Sequence, residues 1–416
     1  MLSDLKISLN VCKSWSCPNL GIADTSDYIY PVYRLGYAAL ECKKCGGLPP
    51  LFNEHEFNFW FTRSLIKRTD TAEHRCPHCF ESDAIFYGKT QIGNTRLQCR
   101  RCRKVTTPAK ITPRNALLID NLLSRLSSGQ HDGETSQYRV LEQAAIWCSH
   151  RLHQLKEKVS RIATTTHVLP FQGKAADQNL YVVISADTRS GRIVQITTNY
   201  CDWVAGDSLL YHAVSSSRLE PSVATGIEKV KQQECQFMRR SQFDEIQYGC
   251  ADLKRNDKGC IIRPVIALHG HFQRMKRCFP AVTDHYLSHE CVLRGAAITA
   301  WASEVSRGET HLWFVTEDSG EPASLLSSFR HSGTWRVGWW ENIWQRWSHG
   351  EGHRMIALLT GQREIVSAAD ISLSSCETFI RWLTAHPWSK DSHRLSAHVI
   401  SAHLVCLAFI FNQQRA

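Results

Sequence analysis

The chain has 416 residues, 43% of them hydrophobic, which suffices for two or three domains with real cores and argues against global disorder. No apolar run reaches the ~18 uninterrupted residues of a membrane span, and the N-terminal MLSDLKISLNVCKSW has no long apolar stretch of a secretion signal. Lys and Arg outnumber Asp and Glu by 49 to 39, and residues 1–170 hold 23 basic against 15 acidic side chains, the remainder 26 against 24. Such asymmetry implies a basic N-terminal module facing a polyanion, most simply nucleic acid; the chain is expected to bind DNA, to be cytoplasmic and nucleoid-associated, and to have no membrane partner.

The 17 cysteines cluster near the N-terminus. In an unsecreted chain, paired thiols point to metal rather than disulfides. Cys12 and Cys17 are followed by Cys42-Lys-Lys-Cys45, the first candidate zinc ribbon, over residues 1–60. Cys76-Pro-His-Cys79 and, after 19 residues, Cys99-Arg-Arg-Cys102 form the second, over 61–105. A two-residue spacer lets both thiolates of a knuckle reach one tetrahedral Zn²⁺, and four thiolates leave no open position, so both zinc ions are expected to be structural. The intervening AIFYGKTQIGNTRLQC reads as a hairpin. His78 is expected to be a surface residue rather than a ligand. Arg96, Arg100, Arg101, Arg103, Lys104 and Lys110 surround the second site, where basic side chains on a rigid hairpin suit DNA phosphates.

Residues 106–163 read as helical. Leu118, Leu122 and Leu126 recur at helical spacing, as do Leu141, Ala145, Cys148, Leu152, Leu155, Val159 and Ile162. The pair fits a helix-turn-helix-like DNA-binding segment and equally a packing helix with a solvated face. Residues 164–179 read as a linker. From Leu180 onward, strands and helices alternate. Leu180 to Asp187, the turn TRSGR, and Ile193 to Tyr200 predict a hairpin with an acid closing its first strand. IIRPVIALHGHF reads as strand-like and leads to AVTDH, with Asp284. A helix over Cys291–Val305, a strand over Thr310–Thr316, a helix over Ser372–Leu383 and a buried helix over Val399–Phe411 follow. His269 and His271 read as satisfied core or surface histidines. The tryptophans around Trp335 and Trp344 read as a packed helix face, and Cys201, Cys235, Cys250, Cys260 and Cys278 as core or incidental thiols.

Asp187 and Asp284, on neighbouring strands of one sheet, would converge on divalent cations such as Mg²⁺, which favour oxygen ligands. Glu377 is the preferred third acid, with Glu341, Glu317 and Asp318 as alternatives. The ribbon CPHC…CRRC, the adjoining helices, YVVISAD-TRSGR-IVQITTNY, AVTDH and the tail Ser372–Phe411 together resemble bacterial insertion-sequence transposases of the DDE class. The resemblance implies an α+β chain: two β-hairpin zinc ribbons, a helical DNA-binding segment and an RNase H-like mixed-sheet α/β domain over 180–416. It implies catalytic Asp187, Asp284 and Glu377 holding Mg or Mn, strand cleavage and strand transfer at element ends, and a homo-oligomer when active. The histidines flanking Asp284 and the tryptophan-rich GWWENIWQRW depart from that pattern. The alternative is a non-catalytic zinc-ribbon DNA-binding regulator.

Overall fold

The computed structural model describes residues 6–68, 76, 83–91, 93–107, 113–130, 138–154, 158–172, 179–203, 205–211, 224–239, 259–317, 329–338, 341–349, 352–362, 365, 368 and 370–415. Its N-terminal part is built from short elements. Strands β1 (Tyr28–Val32) and β2 (Ala39–Cys42) form an antiparallel hairpin, and helix α1 (Glu54–Arg68) follows. Strands β3 (Ala84–Lys89), β4 (Thr95–Cys99) and β5 (Val105–Thr106) form a separate antiparallel sheet in that order. Helices α2 (Pro113–Ser127) and α3 (Tyr138–His153) lead to the main sheet.

That sheet has eight strands. Strands β6 (Arg161–Pro170), β7 (Asn179–Asp187) and β8 (Ile193–Thr198) run antiparallel. Beside β6, β11 (Asp284–Ser288) runs parallel to it, and β12 (His311–Glu317) runs parallel to β11. Strands β13 (Arg330–Val337), β14 (Asn342–His349) and β15 (Gly352–Leu358) extend the far edge, giving the order β13-β14-β15-β12-β11-β6-β7-β8.

The centre of the sheet is buried on both faces, which is why β7 reads as an unbroken apolar run rather than an alternating one. Its even residues, Leu180, Val182, Ile184 and Ala186, share one core with α2, α3, α8 (Ser374–Ala385) and α10 (Ala397–Gln414). Its odd residues Tyr181 and Val183 face α4 (Gly226–Arg239), α5 (Pro264–Cys278), α6 (Cys291–Ala300) and α7 (Ala302–Ser306). Strands β9 (Tyr200–Cys201) and β10 (Cys260–Ile261) pair at the rim, and α9 (Ser389–Ser392) precedes α10. The apolar tail is α10, started by the Ser396 side chain accepting the Val399 amide and buried on nearly every side.

Several elements differ from expectation. The stretch expected to be a linker begins inside β6, the strand that joins the antiparallel and parallel halves of the sheet. Its TTT run looks polar, yet β-branched threonines suit strands, and Thr164 is buried with its hydroxyl on Ser185 Oγ at 2.7 Å. The long helical stripe stops at His153, and Ile162 belongs to β6. IIRPVIALHGHF is mostly α5, opened by Pro264 at its first turn, where a fixed φ favours a helix start. A continuous apolar run does not distinguish a buried helix from a buried strand. Of the tryptophans expected on a helix face, Trp335 sits on β13 opposite Trp344 on β14, where Trp347 also lies, and Trp339 and Trp340 fall outside the described residues.

Candidate metal centres and the placement of the acids

The sulfurs of Cys12, Cys17, Cys42 and Cys45 all lie within 4.8 Å of one another. Cys12 and Cys45 Sγ are 3.5 Å apart, and Cys17 and Cys42 Sγ 3.8 Å. Zinc–sulfur bonds of ~2.3 Å in a tetrahedron put sulfurs about 3.8 Å apart, so the four thiols fit zinc. The hairpin carries Cys42 to the site. The next turn brings Cys45 back, with the Gly46 amide on Cys42 O at 2.7 Å. Gly46 has φ +69°, a left-handed conformation that costs glycine little. The Asn19 amide reaches Cys17 Sγ at 3.4 Å, and Asn19 Nδ2 reaches Cys42 Sγ at 3.6 Å. Such donors orient thiolates and offset their charge.

The second cluster joins Cys76, Cys99 and Cys102, with Cys76 and Cys102 Sγ at 3.5 Å. Cys79, the fourth expected ligand, and His78 lie outside the described residues. The knuckle turn repeats the first, with the Arg103 amide on Cys99 O at 3.0 Å. Here the left-handed position is held by Arg103, at φ +60°, rather than by glycine. Arg100, Arg101, Arg103 and Lys104 are exposed around the knuckle. Arg96 is half-buried with its guanidinium over the Tyr87 ring, 5.4 Å from the centroid. Lys110 lies outside the described residues.

The acids of the expected catalytic set do not meet. Asp187 and Asp284 flank β6, opposite Ile162 and Arg161 respectively, so they are not on adjacent strands. They also point to opposite faces. Asp187 has the parity of Tyr181 and Val183, and its Oδ2 accepts from the Ser190 amide at 2.9 Å and the Ser190 hydroxyl at 2.6 Å. It closes the hairpin turn between β7 and β8. Asp284 lies on the side of Trp313, whose indole donates to its Oδ1 at 3.0 Å, while Thr283 donates to Oδ2 at 2.9 Å. This replaces the expectation of convergence. The physical reason is strand parity: side chains alternate between faces, and β6 intervenes.

Glu377, on α8, belongs to the other end of the sheet. Its neighbours are Glu317 and Arg354. Glu317 closes β12, six residues beyond the His311 that sits opposite Asp284, or about 20 Å along the strand. Arg354 Nε approaches Glu317 Oε1 at 3.1 Å, and Ser372 Oγ and the Leu373 amide donate to the same oxygen at 2.7 and 3.1 Å. Burial, reinforced by the charge of Glu317, pushes the Glu377 carboxyl up to about 7. Glu341 is exposed in the β13–β14 turn, 3.2 Å from Arg336, and Asp318 lies outside the described residues. Among the described residues, Asp187, Asp284, Glu317, Glu341 and Glu377 do not form a set that fits a Mg or Mn pair, and no step is derived through such ions.

His269 and His271 are both buried. His271 Nε2 meets Ser185 Oγ at 2.8 Å and its Nδ1 meets Thr197 Oγ1 at 2.9 Å. His269 packs edge-on against Phe52 at 5.2 Å, and burial holds it well below the usual imidazole range.

No helix among the described residues is long and apolar enough to cross a membrane. No protein-family model matches the chain, and no curated protein matches it. Among solved structures, the chain is similar to a cryo-EM structure of a piggyBac transposase synaptic complex with hairpin DNA, at 7% identity and a TM-score of 0.28. The match covers 86% of this chain and 66% of that one, just under two thirds of its length, and at that score it carries no argument about fold or activity.

Proposed function

We propose that the chain is a zinc-ribbon DNA-binding protein of the insertion-sequence transposase type, built on an RNase H-like sheet and lacking an assembled DDE metal site. The observation that carries this reading is the second cysteine cluster. Cys76, Cys99 and Cys102 close a three-stranded ribbon around whose knuckle Arg100, Arg101, Arg103 and Lys104 are exposed. Arg103 holds a left-handed backbone position that an ordinary side chain adopts at a cost of about 1 kcal/mol or more. A long, exposed cation at that position supports a role in contact rather than in packing. The strand order supports the RNase H-like assignment: three antiparallel strands, then two that run parallel to the first. The separation of Asp187, Asp284 and Glu377 supports the non-catalytic alternative over the enzyme.

Phosphate contacts release counterions, so affinity falls steeply with salt. The test is duplex DNA binding by the zinc-loaded chain between 50 and 200 mM salt, beside a strand-cleavage assay with Mg²⁺ or Mn²⁺. Arg100→Ala/Arg103→Ala is expected to weaken binding at every sequence and to flatten the salt dependence by about two units of slope, with no cleavage in any variant. Salt-independent binding would sink the DNA grip. Cleavage abolished by Asp284→Ala would reinstate the enzyme.

A further inference from the structure

The second ribbon carries a feature that phosphate contact does not use. On its edge strand β3, Phe86 is 64% exposed and Tyr87 48% exposed, and Ile85 beside them is 36% exposed. Large apolar rings on a small sheet are ordinarily turned inward, since their burial is the main source of apolar stabilisation. Here the cysteine cluster closes the ribbon, and the rings stay outside. Phe86 pairs opposite Leu97, and Tyr87 lies where the pairing with β4 becomes irregular, between Phe86 and Lys89, with Arg96 over its ring. Arg100, Arg101, Arg103 and Lys104 surround the knuckle that ends the neighbouring strand.

Exposed rings beside a cluster of cations match a ligand that presents flat π-faces and phosphates together. In duplex DNA the base faces are stacked on one another and closed to side chains. In a single strand they are open, and aromatic–base stacking beside a basic track is the usual way such strands are held. We infer that the second ribbon binds single-stranded DNA, stacking unpaired bases on Phe86 and Tyr87 while the knuckle arginines hold the flanking phosphates. The inference rests on the DNA-binding reading above and names its substrate class.

The experiment uses the full-length, zinc-loaded chain and a fluorescein-labelled oligonucleotide of mixed sequence, single-stranded or annealed to its complement, read by anisotropy at one salt concentration. The single strand is expected to bind about tenfold or more tightly than the duplex. Phe86→Ala/Tyr87→Ala should lower single-strand affinity by about ten- to a hundredfold, as loss of one or two stacked bases implies, with duplex affinity held within about twofold. Phe86→Trp should retain the preference and Phe86→Leu lose it, because leucine keeps apolar area without a π-face. Zinc content equal to wild type shows that each variant is folded at the ribbon. Equal affinity for both DNA forms, with the Ala variant binding like wild type, overturns the stacking role and leaves the phosphate grip standing. Failure to bind either form overturns both.

Discussion

At Glu377, burial and a like charge push in the same direction. Desolvation disfavours its carboxylate, and Glu317 adds repulsion, so the folded-state pKa rises from 4.5 to about 7. Between those values the folded chain holds more protons than the unfolded one. Stability therefore falls as pH rises through that window, and the stabilisation is fully present only below about pH 4.5. Glu377→Gln removes the charge while keeping the shape. It is expected to be about 1–3 kcal/mol more stable than wild type at pH 8 and nearly equal to it at pH 4.5, by urea unfolding at each pH. An unchanged pH slope in the variant would assign the effect elsewhere. The contrast with Asp187 is instructive. That acid ends a strand and looks catalytic by position, but its Oδ2 accepts from the Ser190 amide and hydroxyl, the ordinary local role of an aspartate in a turn.

Among the elements, β6 shows how polarity hides a central strand. Thr164, Ser185, His271 and Thr197 form a buried chain of hydrogen bonds of 2.7, 2.8 and 2.9 Å between β6, β7, α5 and β8. The chain satisfies hydroxyls that would otherwise be costly inside an apolar layer. His271→Leu is expected to leave Ser185 and Thr197 without their imidazole partner and to destabilise the fold by about 2–3 kcal/mol, read as a shift in the urea midpoint at constant slope. A shift under about 0.5 kcal/mol would mean the network is not a structural tie. What the sequence made legible was local. The CxxC knuckles follow from spacer length, the strand at β7 from an apolar run, and α10 from an apolar stretch too short for a membrane. The non-local parts were hidden. The partners of the Thr164 hydroxyl come from distant segments, so the TTT run looked like linker. The continuous apolar run of α5 lacked any period to separate helix from strand. The acids went astray for the same reason, since the face an aspartate occupies depends on register within a sheet whose strands are far apart in the chain.

For the whole molecule, the two cysteine clusters imply different consequences for zinc loss. The first is built into the body. Leu9, Phe52, Phe57 and Phe61 share a core with Ile262, Val265 and Ile266. Arg294 Nη2 donates to Lys13 O at 3.3 Å. Gly21, at φ +70°, lies so close to Ala302 that an added Cβ would come within 2.2 Å of that residue's methyl. Of the second ribbon's described residues, neither Cys76 nor any of 83–106 enters the four apolar cores found among the described residues. Structural zinc contributes on the order of 10 kcal/mol to small domains, comparable with the total stability of a typical domain, roughly 5–15 kcal/mol. Cys42→Ser should therefore lose one zinc and lower the global unfolding free energy by several kcal/mol. Cys99→Ser should also lose one zinc, leave the tryptophan-monitored unfolding of the body within about 1 kcal/mol of wild type, and abolish DNA binding. Zinc by mass spectrometry, urea unfolding and anisotropy on the same preparations separate these outcomes. Should Cys99→Ser bind DNA like wild type, the grip would have to lie on the body instead; should Cys42→Ser unfold like wild type, the shared core would not depend on the first metal.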